Sequence, residues 1–153
     1  MKKILLLVLL SVSLVSQTTV ADAQPVILSR RDQAKVIDEI LEDRLRNLLP
    51  GLMRREGIDM WIIISREYNE DPVIKTLLPA TWFAARRTTM LMVFDRGQEK
   101  GLEFLAVARY DVGKVFRRAW DPDANPDQWA QLSKLIQERN PKKIVVNKAP
   151  GYG

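Results

Sequence analysis

The chain has no cysteine and no histidine in its 153 residues. Without cysteine there is no disulfide to brace a small domain, so the fold must stand on its apolar core alone. A lipid anchor on a terminal Cys is likewise excluded. Without histidine, Ser-His-Asp and Cys-His catalysis are ruled out, as are zinc sites that need an imidazole. Glycine is scarce: the seven glycines are isolated or sit at turns, so no Gly-rich phosphate loop is present. No low-complexity tract and no internal repeat occurs.

What remains is an ordinary globular composition, 46% apolar and 28% charged. Lys2 and Lys3 open the chain, and an apolar run from Ile4 to Val15 follows, broken only by Ser11 and Ser13. Ala21 and Ala23 flank Asp22 at the two positions that signal peptidase reads. The run is shorter than the ~20 residues a membrane span needs. The first 23 residues therefore read as a signal peptide cleaved after Ala23, giving an exported protein, periplasmic or extracellular, with no membrane attachment after cleavage. The 130 residues left after cleavage suit one domain.

Beyond the leader, 22 basic residues face 18 acidic ones, a net charge of +4. Basic pairs recur at Arg30-Arg31, Arg54-Arg55, Arg86-Arg87, Arg117-Arg118 and Lys142-Lys143. They are scattered and interleaved with acids. A nucleic-acid surface needs a clustered stripe, so these charges read as solvated surface and no nucleic-acid partner is expected.

Residues 24–29 form a lead-in. Ser29 is a good N-cap, with Asp32 three places on. Val36, Ile37, Ile40, Leu41, Leu45, Leu48 and Leu49 then repeat at three and four, predicting one apolar helical stripe facing the core. Pro50 should kink or interrupt that helix, and Gly57 should stop it. Met60–Ile64 is a β-branched apolar run suited to a strand covered on both faces. Residues 72–78 read as a short helix. Residues 88–94 and 103–108 read as strands joined by a hairpin over 96–101. Residues 114–120 read as a further strand with Val115 and Phe116 inward. Asn125 is expected to cap a helix that starts at Pro126 and buries Trp129, Leu132, Leu135 and Ile136. Ile144-Val145-Val146 reads as a last buried strand. The pattern predicts an α/β domain over 30–150, a mixed β-sheet flanked by helices. A buried strand so placed normally feeds a covering helix, so the natural chain is expected to continue, making this sequence a fragment.

Three groups invite chemistry. Asp121, Asp123 and Asn125 match the opening positions of a calcium loop, but Pro126 stands where Gly is needed and Leu132 where a bidentate acid is needed. A capping loop is the better reading. Glu67, Glu70 and Asp71 follow the first strand, where α/β sites lie, yet three acids without a partner constellation read as a solvated loop. Thr81-Trp82-Phe83-Ala84-Ala85-Arg86-Arg87 is the best contact segment. Aromatics beside arginine suit interfaces and anions, so Trp82, Phe83, Arg86 and Arg87 are the candidate subunit or substrate contacts. The other reading places Trp82 and Phe83 in the core with the arginines as edge charges, as large aromatics usually are. Trp61, Trp120 and Trp129 read as core.

The order of these pieces resembles the N-terminal domain of the creatinase, prolidase and Xaa-Pro aminopeptidase family, the pita-bread metallopeptidases. The resemblance covers about residues 30–150. It rests on the helix through Arg44 and Leu49 ending at Gly57, the strand Asp59 to Ile64, and the loop Tyr68-Asn69-Glu70-Asp71-Pro72. It extends to Thr81-Trp82-Phe83 ahead of Met90 to Asp95. Trp82 stands where the family has Gly, a departure from its pattern. The resemblance implies a non-catalytic domain that helps build an oligomer and walls the substrate cleft. It implies that a separate catalytic domain, absent here, carries two divalent metals. No catalytic residue, metal ligand or cofactor is assigned within this chain. The expected partners are a second copy of the chain or its own catalytic domain. The other reading open from the residues is a free-standing secreted binding module.

Overall fold

Ser29 ends the extended approach to the first helix. Its hydroxyl accepts the Asp32 backbone N–H at 3.2 Å and donates to the Asp32 carboxylate at 2.6 Å, so one side chain satisfies an end group that the helix itself leaves open. The structure is a computed structural model that describes residues 27–148. The expected leader with Ala21 and Ala23, residues 24–26 of the lead-in, and residues 149–150 of the expected domain lie outside the described residues.

Helix α1 (Arg30–Asp43) runs without a break into a π-helical turn (Arg44–Leu48) and then α2 (Leu49–Arg55). Pro50 brings no N–H, and its ring collides with the carbonyl four residues back in a regular helix. The wide turn just ahead of it, where the Leu49 N–H reaches the Arg44 carbonyl, accommodates the ring. Pro50 thus changes the hydrogen-bond pattern but does not end the helix. Gly57, at φ +61°, takes the left-handed position at the close. The Ile58 N–H donates to the Met53 carbonyl and the Gly57 N–H to the Arg54 carbonyl, a Schellman stop.

Five strands follow: β1 (Met60–Arg66), β2 (Thr88–Asp95), β3 (Leu102–Val107), the two-residue β4 (Arg117–Arg118) and β5 (Ile144–Val146). The one-turn α3 (Pro72–Lys75) and the longer α4 (Gln128–Arg139) lie between them. The sheet order is β4-β3-β2-β1-β5. β2 lies between β1 and β3 and antiparallel to both, while β5 lies parallel to β1 and β4 parallel to β3. This is an α/β fold, a mixed five-stranded sheet flanked by helices.

The period-two alternation of the central strands divides the core into two halves. Ile63, Leu91, Val93, Ala106 and Phe116 pack on one face with Leu41, Leu45, Met53 and Ile74 from the N-terminal helices. Met60, Ile62, Met90, Met92 and Val107 pack on the other with Leu132 and Leu135 of α4 and with Trp120. Phe104 and Phe116 meet edge to face, their centroids 5.5 Å apart. Two ion pairs tie the layers. Arg54 grips both oxygens of Asp95 at 2.8 and 3.0 Å, and Arg139 of α4 reaches Glu103 of β3 at 2.5 Å. The hydrogen bond from Arg54 is the main reason the Asp95 carboxyl titrates below the usual carboxylate range, and the Gly97 N–H adds to it.

Several sequence expectations are corrected. Of the predicted apolar stripe, Leu41 and Leu45 are buried, whereas Val36, Ile37, Ile40 and Leu48 are exposed. The sheet covers only one edge of a stripe wider than the contact it offers. The cap of α4 is Asp127, not Asn125. The Asp127 carboxylate accepts the Trp129 and Ala130 N–H groups at 2.9 and 3.0 Å, and Pro126 lies outside the helix. Trp129, in the first turn of that helix, is 56% exposed rather than in the core. Trp120 is buried as expected, and Trp61 is half-buried against the helical face. β5 is an edge strand, not a buried one, with Ile144 and Val146 exposed. It is pinned at its entry by Asp59, whose carboxylate accepts the Lys142 and Lys143 N–H groups at 2.7 and 2.8 Å.

Candidate functional site, an arginine and aromatic pocket

The acidic trio after β1 is structural, which corrects the solvated-loop reading. Glu70 is only 8% exposed. Its carboxylate accepts the Tyr68 N–H at 3.0 Å and the buried Ala85 N–H at 2.8 Å. Asp71 caps α3 by accepting the Ile74 N–H at 2.8 Å, and it also accepts from the Asn147 side-chain amide. Glu67 holds Arg87 twice: its N–H donates to the Arg87 carbonyl at 2.6 Å, and its carboxylate accepts the Arg87 N–H at 2.9 Å. Three carboxylates are thus spent on backbone donors, and two of them, Glu67 and Glu70, fix the 79–87 loop to the end of β1. Among the described residues no group of three or more His, Cys, Asp or Glu is placed to hold a metal ion.

The loop so fixed carries the four candidate contact residues, and the structure separates them. Phe83 is 98% exposed, which overturns its core reading. Trp82 is half-buried and packs against the helical face of the core. Arg86 and Arg87 are exposed. The Arg86 guanidinium lies over the Trp82 ring at 4.9 Å and the Tyr110 ring at 5.8 Å from the centroids. That is close enough for cation–π attraction. Arg87 sits at φ +52°, a left-handed position that few residues other than Gly adopt, and the two hydrogen bonds from Glu67 keep it there.

Trp82, Arg86 and Arg87 do not stand alone. With Thr88 and Thr89, Arg109 and Tyr110, Trp120 and Gln128 they line a pocket of about 140 Å³. Arg109 lies over the Trp120 ring at 5.8 Å. Gln128, the first residue of α4, donates from its amide to the Thr88 carbonyl at 2.9 Å and the Val107 carbonyl at 2.6 Å. Those bonds close the space between β2, β3 and α4. The turn bearing Arg109 and Tyr110 is braced by Asp111, which accepts the Arg118 N–H at 2.7 Å and pairs with Arg117 at 3.0 Å. The Arg118 backbone bond, then the Arg117 side chain, holds the Asp111 carboxyl below the usual carboxylate range.

Sequence reading found Trp82, Arg86 and Arg87 but missed Arg109, Tyr110, Trp120 and Gln128. Arg109-Tyr110 repeats the pairing of arginine with an aromatic at the end of a strand, and that signal was available. Nothing in the sequence marks Gln128. The loop at Asp121–Asp127 behaves as a cap and turn. Asp121 pairs with Arg118 at 3.2 Å, and Asn125 accepts the Asp127 N–H and the Trp120 indole N–H.

Chemically, the site offers three cations and three aromatic rings. None of the three guanidiniums pairs with a carboxylate among the described residues. Unpaired guanidiniums and aromatic rings are groups that can contact anions and planar groups. Comparison with known proteins finds no matching family model, no matching curated protein and no matching solved structure.

Proposed function

We propose that this chain is the non-catalytic N-terminal domain of an exported metallopeptidase of the creatinase, prolidase and Xaa-Pro aminopeptidase type. Its work is assembly and the gating of a substrate cleft, and hydrolysis belongs to a separate catalytic domain that holds two divalent metals. The carrying observation is the 79–87 loop. It is fixed from behind by Glu67 and Glu70, yet it presents Phe83 almost wholly to solvent beside Arg86 and Arg87. A rigid loop with an aromatic anchor and adjoining arginines has the make-up of an interface centre. Two sequence features support the reading. The order of elements resembles that family's N-terminal domain, and a chain without histidine lacks a residue the family's metal set requires.

Sedimentation equilibrium of the full chain tests it. The proposal expects self-association, weakened at least tenfold by Phe83→Ser with the fold unchanged by circular dichroism. A chain that stays monomeric at high concentration, or a variant that associates as well as the parent, contradicts it. The lined pocket beside the loop favours the second reading, a secreted binding module, in which the chain works alone and its ligand occupies that pocket.

A further inference from the structure

We propose that the pocket between the 79–87 loop, the end of β3 and the start of α4 is a binding site for a small aromatic carboxylate. Arg86, Arg87 and Arg109 supply the charge, and Trp82, Tyr110 and Trp120 supply the walls. The inference concerns a ligand held within one copy of the chain. It does not rest on the assembly reading, and either can fail without the other.

Four observations converge. The first is charge: three arginines line one small space, and no carboxylate within ion-pair reach neutralises any of them among the described residues. Elsewhere among the described residues, Arg46, Arg54, Arg55, Arg117, Arg118 and Arg139 find carboxylates, while Arg30, Arg31, Arg44, Arg66 and Arg96 do not; what sets the three apart is that they line one space. Like charges held together repel, and an anion offsets that cost. The second is preorganisation. The Arg86 guanidinium lies over the Trp82 and Tyr110 rings and that of Arg109 over the Trp120 ring, within cation–π reach, so two of the forks are already held by aromatic neighbours before a ligand arrives. Fixing a guanidinium plane in advance reduces the ordering cost of binding and suits two-pronged recognition of a carboxylate.

The third is the backbone at Arg87. A non-glycine residue at φ +52°, held from both sides by Glu67, is a strained position kept by its surroundings. It places Arg87 on the pocket wall. The fourth is size and lining. A volume of about 140 Å³ is close to that of a cavity that takes a benzene ring, roughly 150 Å³. With guanidiniums over the ring faces, the indole and phenol rings can still meet a planar ring edge to face. Bare phosphate would satisfy the arginines and leave the aromatic walls unused.

The test is a titration of the full chain with sodium benzoate, followed by the indole N–H resonances of Trp82 and Trp120 and by calorimetry. Benzamide, the uncharged isostere, and inorganic phosphate are run beside it. The expected result is saturable one-to-one binding of benzoate that shifts both indole signals, at least tenfold tighter than benzamide and weakened by added salt. Arg109→Gln should weaken benzoate at least tenfold, with the remaining resonances in place to show that the fold is retained. Arg86→Gln serves as the second variant, and Arg96→Gln on the distant hairpin should bind as the parent does. Equal binding of benzoate and benzamide overturns the proposal, as does benzoate binding untouched by either pocket variant. So does phosphate binding tighter than benzoate, because the aromatic walls would then play no part. No benzoate binding at all also overturns it.

Discussion

Glu70→Ala is expected to be among the costliest single polar substitutions in the described part of this domain. The carboxylate is 8% exposed and carries two backbone donors from two loops, the Tyr68 N–H and the Ala85 N–H. Alanine leaves both unpaired. Ala85 is fully buried, so its N–H bears most of the desolvation cost of an orphaned donor, about 2 kcal/mol from the usual range of 1–3. Tyr68 is exposed, and water replaces much of what its N–H loses, leaving about 0.5–1 kcal/mol. The total is about 3 kcal/mol. Glu70→Gln keeps an acceptor oxygen at the same reach and gives up only the charge assistance, about 1 kcal/mol. Urea unfolding at neutral pH measures both variants, and an unchanged slope would show that stability falls with no change in the surface exposed on unfolding. Hydrogen exchange supplies the local readout: the Ala85 amide should lose protection in the alanine variant and keep most of it in the glutamine one. The reasoning is refuted if Glu70→Ala costs less than about 1 kcal/mol, or if the two variants are equally damaging, because the argument separates the acceptor from its charge.

Phe116→Ala removes a buried ring that meets Phe104 edge to face, and it should cost about 3–5 kcal/mol in the same urea assay. Asp127→Ala removes the cap of α4 and should cost about 1 kcal/mol, more than Pro126→Ala, which lies outside the helix. The acid limb of stability should depend on Asp95. Its folded pKa lies below the unfolded value of about 3.9, so its contribution is present above that value and is lost as pH falls through the folded one. Arg54→Met should therefore flatten the fall in stability below about pH 4 measured by urea titration, relative to the parent. Asp59→Ala should free the entry to β5, seen as faster exchange of the Lys142 and Lys143 amides with β2 and β3 unchanged.

The fold was largely legible because its strongest signals are local. Ser29, Gly57 and the continuous run from Met60 to Ile64 each act through their own backbone or their immediate neighbours, and each does what its residue type dictates. What failed depended on distant partners. The period of Val36, Ile37 and Ile40 says that one face is apolar but not how much of it the sheet will cover. Trp129 follows the helical spacing of Leu132, yet it sits in the first turn of the helix and is left exposed. Glu70 looks like a surface acid because the donor it serves, Ala85, is fifteen residues away. The site was half legible for the same reason. Trp82, Arg86 and Arg87 are adjacent in sequence, whereas Arg109, Trp120 and Gln128 join them only through the pairing of β2 with β3 and the packing of α4.

The central claim is that this chain supports assembly and recognition while hydrolysis happens elsewhere. The most direct measurement incubates the purified full chain with excess manganese or zinc and an Xaa-Pro peptide, then follows peptide cleavage and bound metal together. The account predicts no stoichiometric metal uptake and no cleavage above buffer. Turnover that appears with one or two tightly bound ions per chain, and vanishes when they are stripped, would contradict it.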